Sequence, residues 1–309
     1  MRSWPALAAC GKRVAMPGGE LFYYDSAAGS ELGKPGAGGK PTVVLIHGLG
    51  DEADTWRHVF PKLVAAGYRV LAPDLPGFGR SSWKGGIGIG VHRKAVARLM
   101  ELAGVSPDAG AVLVGSSLGA GIAELVAGDQ PELVRGIVLV AGCFPFDNGF
   151  NKKFLLAALP FVGKKWYRGF RKNHGAAWRS LYSYYADLDS MDEADKSFLR
   201  ERVIARVESP NQERGYLSTI RSMNGFLLFG SSSTARMMKS FPGRILILCG
   251  ELDAVFPAEN ARLFRSLRPD AGFAVIAGAG HLPHQEKPEA SCAELLRFLA
   301  ELGDTCAGG

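Results

Sequence analysis

A short apolar run that leads into two closely spaced glycines constrains this chain most strongly. Val112-Leu113-Val114 is followed by Gly115-Ser116-Ser117-Leu118-Gly119 and then by small and apolar residues. The apolar run predicts a buried strand, and the residues after Gly119 predict a helix. Glycines two positions before and two positions after a serine keep Cβ atoms out of a sharp strand-to-helix turn. The spacing therefore selects Ser117, rather than Ser116, as the serine presented at the end of the strand.

Six apolar runs along the chain indicate the strands of a sheet, and the stretches between them indicate helices. The predicted strands are 42–46, 69–72, 111–114, 136–140, 244–248 and 273–276. The predicted helices are 55–66, 91–103, 118–128, 258–267 and 288–302. Near-continuous apolar strands that alternate with helices are typical of a parallel sheet covered on both faces. We expect an α/β fold with a doubly wound, mostly parallel sheet, preceded by an antiparallel edge strand over 20–25.

The alternation of strands and helices breaks between residues 144 and 240, where helical periodicity and aromatic residues continue without a strand pattern. This stretch carries sixteen Lys and Arg against nine Asp and Glu, whereas the remainder carries twenty against twenty-one. The net charge of +6 therefore comes from this stretch. We predict a helical cap over 144–240 inserted into a core of 20–143 and 241–303, with an N-terminal leader over 1–19 and a C-terminal tail over 304–309.

Composition limits the partners and the setting of the chain. Its five cysteines are odd in number and lack zinc-site or disulfide-framework spacing, so we expect free thiols and no metal. No nucleic-acid-binding motif accompanies the basic residues, and no nucleic-acid partner is expected. We expect a soluble, cytoplasmic protein, although Leu7-Ala8-Ala9-Cys10 is similar to a lipoprotein cleavage box and leaves an exported form open. The sequence leaves the oligomeric state open.

A serine hydroxyl needs a base to become a nucleophile, and the base needs an acid to orient it. Asp253 lies just past the strand 244–248, and His281 lies on a glycine-rich loop just past the strand 273–276. The carboxyl ends of parallel strands share one edge of a sheet, so both side chains are expected on the edge that carries Ser117.

Two neighbouring residues are alternatives for these roles. Glu251 precedes Asp253 by two positions, and His284 follows His281 by three. We interpret Glu251 as turn chemistry or a surface acid and His284 as a packing residue. The glycines before His281 suit a loop that delivers a base, which favours His281 over His284.

Acyl transfer also needs hydrogen-bond donors for the negative charge that develops on the carbonyl oxygen. His47-Gly48-Leu49-Gly50 directly follows the strand 42–46. The backbone N–H groups of Leu49 and Leu118 are the predicted pair of donors, and losing one such donor typically costs about 3 kcal/mol of transition-state stabilisation. His47 itself is interpreted as structural, holding this loop by hydrogen bonds.

These motifs together resemble the α/β-hydrolase superfamily, in the group with a helical cap inserted after the sixth strand. The resemblance covers about residues 20–303 and also includes the turn from Asp74 to Ser81. It implies catalysis through an acyl-enzyme on Ser117, with His281 as base and Asp253 as its orienting acid, and without a cofactor. A serine at the turn argues against the relatives that use an aspartate nucleophile, the epoxide hydrolases and haloalkane dehalogenases.

The leading hypothesis is a carboxylic-ester hydrolase of the esterase or lipase kind, acting on a small-molecule ester or lipid-derived substrate with an apolar acyl group. A carbon–carbon bond hydrolase of the meta-cleavage type, an acyltransferase and a cofactor-free haloperoxidase share the same triad and stay open as alternatives. A small-ligand receptor on the hydrolase fold is the alternative that is not an enzyme.

The predicted cap has an uneven distribution of charge. Residues 151–186 carry eight basic side chains and no acidic one, and large apolar side chains such as Phe161, Trp166 and Phe170 are interleaved with them. Basic and aromatic residues together are typical of helices that lie on an anionic membrane surface, which predicts weak contact of the cap with such a surface. The alternative is a solvated basic face over an apolar cap core.

Overall fold

The apolar runs of the sequence become the strands of one sheet in the computed structural model, which describes residues 1–28, 39–144, 152–229 and 231–304. The strands are β1 (Gly11–Met16), β2 (Gly19–Asp25), β3 (Thr42–Ile46), β4 (Val70–Pro73), β5 (Ser82–Trp83), β6 (Ala111–Ser116), β7 (Val134–Val140), β8 (Arg244–Gly250) and β9 (Gly272–Ile276). Their order is β1-β2-β4-β3-β6-β7-β8-β9, with β5 paired to β2. The pairings from β4 through to β9 are parallel, and those of β2 are antiparallel.

Helices cover both faces of this sheet. They are α1 (Val59–Ala65), α2 (Ile89–Leu102), α3 (Leu118–Asp129), α4 (Lys152–Ala158), α5 (Pro160–Lys172), α6 (His174–Arg179), α7 (Glu193–Glu208), α8 (Pro210–Phe229), α9 (Ser231–Ser240), α10 (Ala258–Leu267), α11 (Pro283–Glu286) and α12 (Pro288–Asp304). Alternate residues of each central strand face opposite sides of the sheet. Leu113 belongs to an apolar cluster that includes residues of α2, α3 and α10 on one face, whereas Val112 belongs to a cluster that includes residues of α1 and α12 on the other. The predicted α/β class with a mostly parallel sheet is confirmed.

The N-terminal part of the prediction needs two corrections. The strand expected at the edge, β2, is bordered on both sides, because β1 pairs with it from Gly11 to Met16 and forms the edge itself. The stretch 1–19, expected as a leader, therefore contributes a strand to the sheet. Its short 3-10 helix, Pro5–Cys10, also places Leu7 in the core, where the side chain is almost fully buried.

The helices α4 to α9 lie between β7 and β8, in the stretch predicted as a cap. The two-residue strand β5 lies off the main path of the sheet, and among the strands on that path the insertion follows the sixth in chain order, β7. In the described part of this stretch, α8 contacts α4, α5 and α7, and it also contacts α2 of the sheet-flanking layer. The cap boundaries stay a prediction, since residue 145 to residue 151 lie outside the described residues, as does the tail from residue 305.

Candidate active site

Ser117 lies at the sharp turn between β6 and α3. Its backbone has φ 53° and ψ −112°, a conformation that side-chain-bearing residues adopt only when the surrounding structure enforces it. The Ser117 N–H donates to the Val140 carbonyl at 2.8 Å, which ties the turn to the end of the neighbouring strand β7. The turn lifts the half-buried serine off the carboxyl end of β6.

The two glycines of the motif are required by the space around this turn. A Cβ atom on Gly115 would overlap the backbone carbonyl of Gly119. A Cβ atom on Gly119 would overlap the Ile46 carbonyl at the end of the neighbouring strand β3. A third glycine, Gly142, lies against the Ser117 backbone, where a Cβ atom would come within 2.7 Å of the serine carbonyl oxygen. Around this turn, backbone therefore contacts backbone at three places, and at each of them only a glycine leaves enough space.

The loop after β3 lies directly against this turn. A Cβ atom built on Gly48 would be 3.4 Å from the Cβ of Ser117, so Leu49, the next residue, is also close. His47 fixes the loop, because its Nε2 accepts from the Leu75 N–H at 2.9 Å and its Nδ1 therefore donates to the Gly48 carbonyl at 2.7 Å. Burial lowers the pKa of His47, which keeps the ring in this neutral form. The role expected for His47 matches these contacts.

Leu118 begins α3 at the next position after Ser117. Its backbone N–H is one of the first four in the helix and has no acceptor within the helix itself. Leu118 and the loop residue Gly48, which precedes Leu49, are thus both next to the serine.

Asp253 and His281 meet past the ends of β8 and β9. The Nδ1 atom of His281 lies 2.9 Å and 3.1 Å from the two carboxylate oxygens of Asp253, and both side chains are buried. The Oδ1 atom of Asp253 also accepts from the N–H groups of Val255 and Phe256, each at 2.8 Å. The carboxylate is thus anchored to its own loop while it holds the imidazole.

The two alternative residues lie in other environments. Glu251 is exposed, and its carboxylate accepts from the Gly278 N–H at 2.8 Å. His284 is stacked on Trp56 at 4.3 Å between ring centroids, and its Nε2 contacts the Thr55 hydroxyl at 2.9 Å. Burial lowers the pKa of His284 to about 3. Turn chemistry and packing, the interpretations given to these two residues, agree with their positions.

The edge of the parallel sheet thus carries three features together: a sharp serine turn, a glycine loop beside it and an Asp–His pair. A family model described as the alpha/beta hydrolase fold matches residues 41–288 of the chain. The chain belongs to the α/β-hydrolase fold family. Among its curated relatives, the pimeloyl-[acyl-carrier protein] methyl ester esterase of Klebsiella pneumoniae is 28% identical over 268 residues, which are 84% of this chain and 94% of the relative.

Further relatives of this α/β-hydrolase support the same assignment of fold. An uncharacterised protein of Mycobacterium tuberculosis is 25% identical over 281 residues, 85% of this chain and 76% of the relative. Among solved structures, a thermophilic esterase from Thermogutta terrifontis has a TM-score of 0.73 at 21% identity, covering 94% of this chain and 99% of that one. A 2-hydroxy-6-oxo-6-phenylhexa-2,4-dienoate hydrolase from Rhodococcus has a TM-score of 0.72 at 20% identity, covering 94% and 98%.

One contact of the histidine loop escaped the sequence analysis. The Glu286 carboxylate accepts from the Gly280 N–H, next to His281, and from the Ala186 N–H, each at 2.6 Å. The His281 N–H in turn donates to the Tyr184 carbonyl at 2.8 Å. The segment between α6 and α7 is therefore hydrogen-bonded directly to the loop that carries His281. No local sequence signal marks Glu286, since its partners lie up to 100 residues away.

A buried ionic network holds the loop that carries Leu49. The fully buried Glu52 carboxylate accepts hydrogen bonds from two arginines of α7. Nε of Arg202 donates to Oε1 at 2.7 Å, and Nε of Arg206 donates to Oε2 at 2.6 Å. These two guanidinium groups hold the pKa of Glu52 well below its usual range against the opposing effect of burial. Gln212 of α8 adds a hydrogen bond from its amide to the Gly50 carbonyl at 3.0 Å. Helices of the predicted cap thus fix the glycine loop on one side of Ser117.

Another buried acid lies in α3, the helix that begins after the serine. Glu124 of α3 is fully buried, and its two carboxylate oxygens both lie 3.0 Å from the Phe144 backbone nitrogen. Burial raises the pKa of Glu124 well above its ordinary value. The Phe144 ring packs over Gly121, where a Cβ atom would overlap it. The Glu124 carboxyl group therefore ties α3 to the chain that follows β7.

Proposed function

We propose that this α/β-hydrolase is a serine hydrolase that cleaves a carboxylic ester through an acyl-enzyme on Ser117. The observation that carries the proposal is the buried Asp253–His281 pair on the same sheet edge as a serine with positive φ. A serine in that strained position is exposed to a substrate, and a neutral imidazole held by a carboxylate is the base such a serine needs.

The proposed proton route follows from the hydrogen bond between the histidine and the aspartate. With Nδ1 of His281 donating to Asp253, the proton of the neutral ring is on Nδ1 and the lone pair is on Nε2. Nε2 takes the Ser117 proton as the hydroxyl oxygen attacks the ester carbonyl carbon, and it then returns that proton to the departing alcohol. Water enters by the same steps in reverse and releases the acid, and Asp253 stays ionised throughout.

The backbone N–H groups of Leu49 and Leu118 are the proposed donors to the tetrahedral oxyanion. They flank Ser117, because Gly48 lies against the serine and Leu118 follows it at the start of α3. The positive end of the α3 dipole adds to the stabilisation of negative charge there. Each donor is expected to contribute about 3 kcal/mol to the transition state.

The acyl group is proposed to be apolar. Phe144 and Phe226 pack with their ring centroids 5.1 Å apart, and Phe226 shares an apolar cluster with the partly buried Leu49 and Tyr216. The relative that hydrolyses the methyl ester of pimeloyl-[acyl-carrier protein] favours ester chemistry over carbon–carbon cleavage. Aromatic walls provide burial for methylene groups but no charge for a polar acyl chain.

A series of p-nitrophenyl esters from acetate to decanoate tests this function. We expect many turnovers per molecule of protein. Each methylene that enters an apolar pocket contributes at most about 0.8 kcal/mol, so kcat/KM should rise by up to about fourfold per methylene until the pocket is filled. The release of p-nitrophenol, followed by its absorbance, gives both the turnover number and the chain-length profile.

Three other results would each point to a different function. Release of one equivalent of p-nitrophenol followed by tight retention of the acid would favour a small-ligand receptor. Failure on every ester together with cleavage of a vinylogous diketone would favour a carbon–carbon bond hydrolase. Transfer of the acyl group to an added alcohol in preference to water would favour an acyltransferase.

A further inference from the structure

The turn between α4 and α5 leaves large apolar side chains uncovered. Six apolar residues of this segment are exposed: Leu155, Leu156, Leu159, Phe161, Val162 and Trp166. Phe161 is 88% exposed, far more than any other aromatic residue in the described part of the chain. We call these six residues the α4–α5 patch. A contiguous exposed set of this kind marks an interaction site, whereas single exposed apolar residues are ordinary.

The inner face of helix α5 is packed against the rest of the cap, and a second apolar set lies on its outer face. Tyr167 points inward, where it is buried and donates through its hydroxyl to the Arg206 carbonyl of α7 at 3.1 Å. Gly163, one turn earlier, is buried on the same inner face. The patch therefore lies on the outer face of the helix. The alternative interpretation, a solvated basic face over an apolar cap core, would require these side chains to be buried.

The exposed charges of α5 that lack an ion-pair partner among the described residues are all positive. Lys164 and Lys165 come two and three positions after Val162, and Lys165 is one helical turn from Phe161, on the same outer face. Arg168 and Arg171 pair with Glu213 of α8, whereas Lys164, Lys165 and Lys172 are exposed and have no ion-pair partner among the described residues. Free lysines surrounding exposed Leu, Phe and Trp side chains are complementary to a surface that is apolar within and negatively charged outside.

The patch is connected to the candidate site by a short chain of aromatic contacts. The Trp166 ring centroid lies 6.0 Å from that of Tyr216 on α8. The Tyr216 ring in turn lies against Gly50, where a Cβ atom would come within 3.0 Å of it. Gly50 follows Leu49, one of the proposed oxyanion donors. The patch therefore covers the same side of the molecule as the glycine loop.

We propose that the α4–α5 patch docks this protein onto the surface of an anionic lipid bilayer. Phe161 and its apolar neighbours enter the boundary between headgroups and acyl chains, and the lysines contact the negative headgroups. In the described part of the chain, no helix is both long and apolar enough to cross a bilayer. Docking brings the glycine loop beside the lipid. That the substrate is a lipid-derived ester rests on the function proposed above.

Vesicle sedimentation tests the docking without any need for catalysis. The full chain is mixed at low salt with vesicles of phosphatidylcholine alone or with one third phosphatidylglycerol. We expect retention on the anionic vesicles only, and loss of that retention as salt is added. The pair of substitutions Lys164→Gln and Lys165→Gln should weaken the partition coefficient by about 30-fold, since each lysine near such a surface contributes about fivefold.

The apolar half of the patch is tested with a matched control. Leu156→Ser with Phe161→Ser should lower the partition coefficient by roughly tenfold or more, because the apolar burial is lost. Leu102→Ser removes another leucine, 46% exposed, at the end of α2 and outside the patch, and should leave retention unchanged. Thermal melts confirm that all variants fold.

The proposal is overturned if the wild type does not sediment with anionic vesicles at low salt, or if Leu102→Ser weakens retention as much as the patch variant. It is also overturned if, without vesicle binding, the wild type forms a dimer that Phe161→Ser abolishes, because the patch would then be an interface between two copies. Ester turnover is measured on the same samples. A protein that binds vesicles but hydrolyses no ester would retain the docking proposal and remove the proposed function.

Discussion

Ser117→Ala is expected to lower ester turnover by about 10⁴-fold to 10⁶-fold, because it removes the proposed nucleophile while the oxyanion donors and the substrate site remain. The matched control is Ser116→Ala, one residue earlier. The Ser116 hydroxyl is buried without a hydrogen-bond partner among the described atoms, so its loss removes no hydrogen bond and should change kcat by no more than a few fold. The rate of p-nitrophenyl ester hydrolysis measures both variants.

The two serine variants separate chemistry from folding. Both should unfold at nearly the wild-type temperature, since alanine replaces serine in the same backbone conformation at each position. A Ser117→Ala protein that is folded and retains a sizeable fraction of the wild-type rate would contradict the assignment of the nucleophile. Equal losses in the two variants would indicate damage to the turn rather than removal of a reacting atom.

Asp253→Asn is expected to lower kcat by about 10⁴-fold with a much smaller change in KM, because the substitution reverses the histidine tautomer. The Val255 and Phe256 N–H groups require an acceptor at Oδ1, so the asparagine oxygen stays there. Its amide nitrogen then faces Nδ1 of His281 and donates to it, which moves the ring proton to Nε2. A base with its proton already on Nε2 cannot accept one from Ser117.

Glu251→Gln is the control for this prediction. Glu251 is the neighbouring acid, and a glutamine there can still accept from the Gly278 N–H. Its kcat should stay within a few fold of the wild-type value. If Glu251→Gln lost as much activity as Asp253→Asn, or if Asp253→Asn were fully active, Asp253 would not be the acid that orients His281 for catalysis.

The sheet was predictable because its strands are apolar on both faces. The predicted 42–46 coincides with β3, and the other five predicted strands differ from the structure by at most two residues at either end. The missed strand β1 carries Lys12 and Arg13 and buries only Met16 fully, so it has no apolar pattern. It forms because the backbone N–H and C=O groups on the outer side of β2 need hydrogen-bond partners, and this need arises only once the sheet has assembled.

The candidate site was predictable to the extent that it follows from strand ends and glycines. Ser117, Asp253 and His281 each lie just past a strand, and the glycine spacing reports the crowding around the serine. Glu52 and Glu286 carry no such signal, because each is recognised only by its partners in distant helices and loops. The exposure of the α4–α5 patch was also hidden, since periodicity shows that a helix has an apolar side but not whether another element covers it.

Covalent labelling with a fluorophosphonate, followed by peptide mass mapping, tests the central claim most directly. The reagent phosphonylates an activated serine, so the wild type should gain one adduct, located on Ser117. We expect the same adduct in Ser116→Ala, none in Ser117→Ala and much slower labelling in Asp253→Asn. A folded wild type that gains no adduct, or gains it on Ser116, would contradict the account.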